Sequence, residues 1–169
     1  KKVEQKKGMI YVGANDRMLH GFSAKDGVEK FAFIPTPVFE NLYLLSDPDY
    51  GQTENVEHRY FVDGELTVAD AYLGSKGWRT VLVGGLGGGG AGVFALDVTD
   101  PDDIKLLWEF TKEHSDNLGY TFGQPVITRL NNGQWVALIN NGYKSKASKA
   151  ALFVIDLASG KLLQEFVVG

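Results

Sequence analysis

Three groups of residues are the places where this sequence could do chemistry. The first is the run Val83-Gly84-Gly85-Leu86-Gly87-Gly88-Gly89-Gly90-Ala91-Gly92, in which Gly85, Gly87 and Gly90 match the dinucleotide fingerprint. That fingerprint works only when a helix follows, because the helix's N-terminal amides meet the pyrophosphate. Here Ala91-Gly92 leads straight into the apolar run 93–98, so a hairpin turn between two strands is the better reading. The second group is Asp97-Val98-Thr99-Asp100-Pro101-Asp102-Asp103, which lacks the central glycine and distal glutamate of an EF-hand loop. It reads as an inter-strand turn, with Asp97 closing a strand and Pro101 fixing the bend, and Asp47-Pro48-Asp49 reads the same way. The third group is the histidines His20, His58 and His114, none at metal-ligand spacing from another. His20 lies inside an apolar strand as a hydrogen-bonded structural imidazole, whereas His58 opens the loop 58–64, which it fixes or through which it meets a partner. Gly74-Ser75-Lys76-Gly77 is one residue short of a nucleophile elbow. No catalytic constellation emerges.

The elements that must position these residues are strands. The chain has 169 residues, 44% of them hydrophobic and 12% aromatic, with a net charge of -4, so it has the apolar surface to offset the entropy of ordering. The absence of cysteine excludes disulfides, thiolate metal sites and a cysteine nucleophile. The acidic balance argues against nucleic acid as a partner. No apolar run is long enough for a membrane span, and Lys1-Lys2-Val3-Glu4-Gln5-Lys6-Lys7 reads as a solvated polar terminus, 1–8, without the apolar centre of a signal peptide.

A threefold internal repeat organises the rest. Strands at 9–13, 18–22 and 28–33 are echoed at 80–84, 93–98 and 106–110, and again at 135–139, 151–157 and 162–168, each group closing near an aromatic at Phe33, Phe110 or Phe166. The apolar runs are nearly continuous, which predicts sheets covered on both faces, as in the stacked blades of a propeller. Fourth strands are expected at 59–62 and 125–130. Between the first two groups, Thr36 as N-cap, Pro37 at the first helical position and the apolar residues Val38, Phe39, Leu42, Tyr43 and Leu45 predict one short helix over 37–45, followed by a polar loop. Trp108, Trp135, Phe94, Phe110, Phe122, Phe153 and Phe166 are expected in the core between blades, and Trp78 at the surface. The chain is thus expected to be all-β, a propeller fragment of about three blades over 9–33, 59–110 and 120–169, with one short helical insertion and its loop over 37–57.

The blocks 11–22, 58–64, 78–87, 94–101, 119–126 and 141–143 resemble the C-terminal propeller of the PilY/PilC family, whose members are type IV pilus biogenesis factors and tip-associated adhesins of Gram-negative bacteria. The similarity runs from about residue 9 to 169. It departs at Arg17, where the family's motif usually has glycine after Asn-Asp. The resemblance implies a quinoprotein-like propeller and a non-enzymatic role in pilus assembly, opposing retraction and aiding adhesion and twitching motility. It implies an exported protein of the periplasm, outer membrane or cell surface. Its partners would be pilins, minor pilins or other assembly proteins, and a host surface. Contacts are assigned to Asn15, Asp16, Arg17, His58, Arg59 and Asp63 in loops or at strand ends. Some members carry an aspartate-rich calcium loop in the propeller; no such loop stands in these residues, so no cofactor is assigned to this chain. The alternative is a blade fragment of a pyrroloquinoline-quinone-dependent dehydrogenase, whose blade motif 153–166 resembles most closely. A lysine-rich start and a finish on a strand lead us to expect an excerpt of a larger ring, with exposed blade faces prone to self-association.

Overall fold

The computed structural model describes residues 8–52 and 57–168, apart from the side chains of residues 40, 41 and 44. Most of the polar terminus and part of the insertion's loop therefore lie outside the described residues. Among the described residues eleven strands form three antiparallel meanders. The first sheet is β1 (Met9–Gly13), β2 (Leu19–Ser23) and β3 (Glu29–Phe33). The second is β4 (Leu66–Tyr72), β5 (Trp78–Gly85), β6 (Gly92–Asp97) and β7 (Lys105–Thr111). The third is β8 (Val126–Arg129), β9 (Trp135–Asn140), β10 (Ala150–Asp156) and β11 (Leu162–Val168). These are three blades of a β-propeller.

The middle blade explains the unbroken apolar runs. Side chains alternate across a strand, so an element with apolar residues at every position is buried on two sides. Val81 and Val83 of β5 join Val93 and Ala95 of β6 in the core shared with Phe110, Ile139, Phe153 and Ile155 of the second and third blades. Leu82 joins Phe94 and Leu96 in the core shared with Leu19, Val38, Phe61 and Val62. The register Val83↔Ala95 and Leu82↔Leu96 keeps the two sets apart. Double coverage holds for β6, buried along its whole length, but not for the flanking blades. In β1, Ile10 and Val12 are exposed, and in β11 Phe166 and Val168 are exposed, because no neighbouring sheet covers them among the described residues.

Two elements differ from expectation. Residues 59–62 are not a strand: the Arg59 backbone N–H donates to the Tyr50 hydroxyl, which donates in turn to the Arg59 carbonyl, and the Phe61 N–H turns to Asn15 Oδ1. Three of its backbone groups are thus taken by side chains, which keeps the segment from pairing as a regular ladder. The fourth strand of the middle blade is β4, whose half-polar Leu-Thr-Val-Ala-Asp-Ala-Tyr sequence suits an edge: Asp70 accepts from the Thr80 hydroxyl at 2.8 Å. The helix is a 3-10 helix, Thr36–Ser46. Thr36 is not an outlying cap but its first residue, with its N–H donated to Glu109 Oε1 on β7. At three residues per turn the apolar stripe expected at 3.6 does not gather on one face. Val38 enters the core while Phe39, Tyr43 and Leu45 stay exposed.

The blades are joined by backbone contact. The glycine run forms the β5–β6 turn around a short 3-10 segment, Gly87–Gly89, and the buried Thr121 grips it. Its hydroxyl accepts the Leu86 N–H at 2.9 Å and donates to the Gly92 carbonyl at 2.7 Å, and its own carbonyl accepts the Gly87 N–H at 3.2 Å. Gly89 packs so closely on the Phe61 peptide that any Cβ there would overlap the carbonyl. Elsewhere Trp108 Nε1 donates to the Leu157 carbonyl at 2.9 Å, tying β7 to the end of β10.

Replacing Thr121 by Val keeps the shape and removes the hydroxyl's bonds to the Leu86 N–H and the Gly92 carbonyl, which stay bonded to each other at 3.1 Å, so the loss is about 0.5–1.5 kcal/mol for each bond removed. Urea unfolding should show a midpoint lowered by the equivalent of about 1–3 kcal/mol at unchanged slope, with Thr121→Ser recovering most of it. Equal midpoints for Val and Thr would show that the hydroxyl contributes nothing.

Candidate functional site

The segment 58–64, the glycine turn, the lead-in 119–123 and the loop after β9 converge at the seam, and an open groove of about 870 Å³ lies along them. Where the backbones touch, Phe61 turns into the core and three other large side chains turn outward. Tyr60, Phe122 and Tyr143 are 54%, 46% and 75% exposed. They form linked ring contacts: His58 meets Tyr60 edge-on at 5.5 Å, Phe122 lies 6.2 Å from Tyr120, and Tyr143 meets Phe122 edge-on at 5.8 Å. Lys144 Nζ sits 4.8 Å above the Tyr120 ring. Exposed aromatic rings beside a cation thus present apolar area and charge together along the groove.

Of the six residues assigned from sequence, His58, Arg59 and Asp63 line this groove, and Asp63 Oδ2 accepts the Gly88 N–H at 3.4 Å. Asn15 and Asp63 share a cleft of about 150 Å³ beside it. Asp16 lies in the β1–β2 turn, accepting the Met18 N–H. Arg17 needs correction. It is 1% exposed, its guanidinium lies 4.2 Å over the Phe61 ring, and Nη1 donates to the Leu42 carbonyl. Its φ of 81° is the left-handed conformation that glycine would adopt freely. The arginine at this turn position is thus held by anchoring its side chain in the core, and it is unavailable as a surface contact.

Sequence reasoning missed Tyr60, Tyr120, Tyr143 and Lys144, and it placed Phe122 and Phe166 in the core, although both are exposed. The signal for the rim residues was their setting: Tyr120, Phe122 and Tyr143 each adjoin a glycine at 119, 123 or 142 and stand outside the strands. Phe94, Phe110, Phe153 and Trp108 are buried as expected, and Trp78 is exposed.

The acidic run behaves as a turn. Asp97 ends β6, its Oδ1 accepts from the Thr99 N–H at 3.1 Å and its Oδ2 pairs with Arg79 Nε at 3.2 Å. Asp100 accepts the Asp102 N–H at 3.1 Å. Among the described residues no three His, Asp or Glu side chains converge as metal ligands. No helix among them is long and apolar enough to cross a membrane.

The family described as the PilY1 beta-propeller domain matches residues 2–169. The chain belongs to this family. It is 51% identical over 165 residues to the type IV pilus biogenesis factor PilY1 of Pseudomonas aeruginosa strain UCBPP-PA14, covering 98% of this chain and 14% of that protein. It is 47% identical over 159 residues to a PilY1 homolog of Xylella fastidiosa, covering 92% of this chain and 10% of the homolog. The crystal structure of the P. aeruginosa PilY1 C-terminal domain superposes with a TM-score of 0.79 at 45% identity, over 98% of this chain and 31% of that one. The chain thus spans about a seventh or less of the curated relatives' length.

Membership in the PilY1 propeller family accounts for the quinoprotein-like blade motif as blade construction. Asp156 ends β10 and accepts from the Ser159 hydroxyl at 2.6 Å, from Gln134 Nε2 at 2.9 Å and from the Ser159 N–H at 2.8 Å. Burial pushes its carboxyl up, and these hydrogen bonds outweigh the burial and hold it below the usual aspartate value.

His20 has an equally structural place. Its Nδ1 is 2.7 Å from Glu29 Oε1 and its Nε2 is 2.8 Å from Asp16 Oδ2, so the ring is clamped by a carboxylate at each nitrogen. Two acceptors require two N–H donors, which only the imidazolium supplies. The bond to Glu29, opposed by burial and helped by Asp16, raises the His20 pKa above its ordinary 6.5. A group whose pKa is raised on folding contributes fully below the unfolded value, and the contribution disappears as pH rises through the folded value. The His20 ring should therefore titrate by NMR with a midpoint above 6.5. The stability lost in His20→Gln should be larger at about pH 6 than at about pH 9. A loss that grows with pH would contradict the clamp.

Proposed function

We propose that this segment is a non-enzymatic interaction module of a type IV pilus biogenesis factor. It meets pilins, minor pilins or other assembly proteins through the aromatic groove at the blade seam. The observation that carries this reading is the groove itself: a backbone-braced rim presents Tyr60, Phe122 and Tyr143 to solvent next to Arg59 and Lys144. Large aromatics and arginine are the side chains that dominate binding energy at protein interfaces, the aromatics because they bury much area at little conformational cost. The relatives' names as pilus biogenesis factors supply the class of partner. Within the complete factor, such a contact would support pilus assembly against retraction and thereby adhesion and twitching. It would do so in the periplasm, at the outer membrane or at the pilus.

Membership in the PilY1 family also favours this reading over a quinone-dependent dehydrogenase, for which the similar blade motif is the sole support.

The full-length factor carrying Phe122→Ala and Tyr143→Ala should capture immobilised minor pilins at least about tenfold more weakly than the parent protein, each lost anchor being worth about 1–2 kcal/mol. Its unfolding midpoint should stay close to the parent's, since both side chains are exposed. Undiminished capture would remove the groove from the interface.

A further inference from the structure

Phe122, Tyr143 and Lys144 line not one cavity but two. The second has a volume of about 560 Å³ and is completed by Asn140, Ser145 and Lys149 among others. Its lining holds two lysines and no carboxylate, although the chain as a whole carries a net charge of -4. The third lysine of this loop, Lys146, is turned to Asp116 at 3.0 Å.

The loop that builds this cavity is rigidly tied. Asn141 Nδ2 donates to the carbonyls of Asn117 at 2.9 Å and Lys149 at 2.6 Å, and its Oδ1 accepts the Ala151 N–H at 2.8 Å. The Tyr120 N–H donates to the Tyr143 carbonyl at 2.7 Å. Gly142 lies so close to the Tyr120 carbonyl that a Cβ would overlap it. Within this frame Lys144 and Ser148 take φ values of 62° and 52°, two of the three positive values found at residues other than glycine among the described ones. Such conformations cost about 1–3 kcal/mol each and persist where the surroundings impose them, which is characteristic of binding sites. The imposed conformation sets Lys144 between the two cavities, its ammonium over the Tyr120 ring.

We propose that this cavity receives a carboxylate-bearing segment of a protein partner. The carboxylate sits between Lys144 and Lys149, and an adjoining apolar side chain lies against Phe122 and Tyr143. The inference rests on the seam being a protein-contact surface and adds the chemistry of what it contacts. The charge balance selects this class of ligand. Two lysines neutralise one or two carboxylates, whereas a nucleic acid needs a basic stripe that follows many phosphates, and the acidic remainder of the chain opposes it. The rings give the apolar neighbour a surface that free anions lack.

The test titrates the full-length factor with two fluorescent peptides, one of alternating glutamate and phenylalanine and one with glutamine for every glutamate. The acidic peptide should bind at least about tenfold tighter at about 0.05 M salt, and the advantage should shrink at about 0.5 M, where the screening length falls to a few ångströms. Lys144→Gln with Lys149→Gln should abolish the advantage while sparing binding of the glutamine peptide. Lys146→Gln should leave the advantage intact. Phe122→Ala with Tyr143→Ala should weaken both peptides. Equal binding of the two peptides, an advantage that survives in the Lys144/Lys149 variant, or an equal loss in Lys146→Gln would each overturn the proposal. Failure of minor pilins to bind while the peptide preference holds would instead count against the pilus partner alone.

Discussion

Everything at the seam depends on how closely two backbones can approach across neighbouring blades, and Thr121 sets that distance. Sheets packed face to face normally stand about 10 Å apart because side chains fill the gap. At the glycine turn of the second blade the gap closes to peptide contact, because the facing residues are glycines and one buried hydroxyl bridges the Leu86 N–H and the Gly92 carbonyl, which also bond each other across the turn. With no cysteine in the chain, no disulfide can fix this geometry, so hydrogen bonds and packing must do it. The apolar cores then follow on either side, with alternate residues of β5 and β6 pointing into one or the other.

The same constraint produces the candidate site. Where peptide packs on peptide, each neighbouring side chain must leave to one side: Phe61, Leu86 and Thr121 turn inward, while Tyr60, Phe122 and Tyr143 turn to solvent. Tyr60 lies beside the segment against which Gly89 packs, Tyr120 and Phe122 flank the gripping Thr121, and Tyr143 follows Gly142. Their exposure is a consequence of the seam rather than of a loosely held loop. That distinction matters for binding: rings on a braced rim lose little freedom when a partner covers them, so less of their contact energy is spent on ordering.

The strands were legible because burial on two faces leaves an unbroken apolar run, a pattern that survives without knowledge of the partner sheet. What was not legible depends on contacts distant in sequence. β4 hides because Asp70 and Thr67 interrupt its apolar pattern, yet each has a partner, Thr80 and the Pro125 carbonyl. Residues 59–62 mimic a strand because Phe61 and Val62 are buried, but they are buried as coil. Arg17 reads as a charged turn residue, and only the Phe61 ring and the Leu42 carbonyl reveal it as a core residue. At the site, His58, Arg59 and Asp63 were found through the family's motif block. The aromatic rim was missed because an aromatic beside a strand is more often core than contact, and the decisive fact, the glycine neighbours' close approach, is three-dimensional.

Stacked repeats gain stability chiefly from contact between neighbours, so a blade covered on one face must make up the difference within itself or from another part of the polypeptide. The first blade illustrates this. It has three strands among the described residues, with Ile10 and Val12 exposed on β1, while the middle blade has four strands and two buried faces. Its compensation is polar and local. The cationic ring of His20 on β2 spans from Asp16 in the turn before it to Glu29 on β3, so one side chain joins the central strand to both of its connections. A half-buried cation between two exposed carboxylates is specific in geometry but, being screened by solvent, contributes little energy of its own. The apolar tie is the fit of Leu19, Phe31 and Phe33 against Phe94 and Leu96 of the second blade, so the clamp orients the strands of the first blade while this shared core joins the two blades.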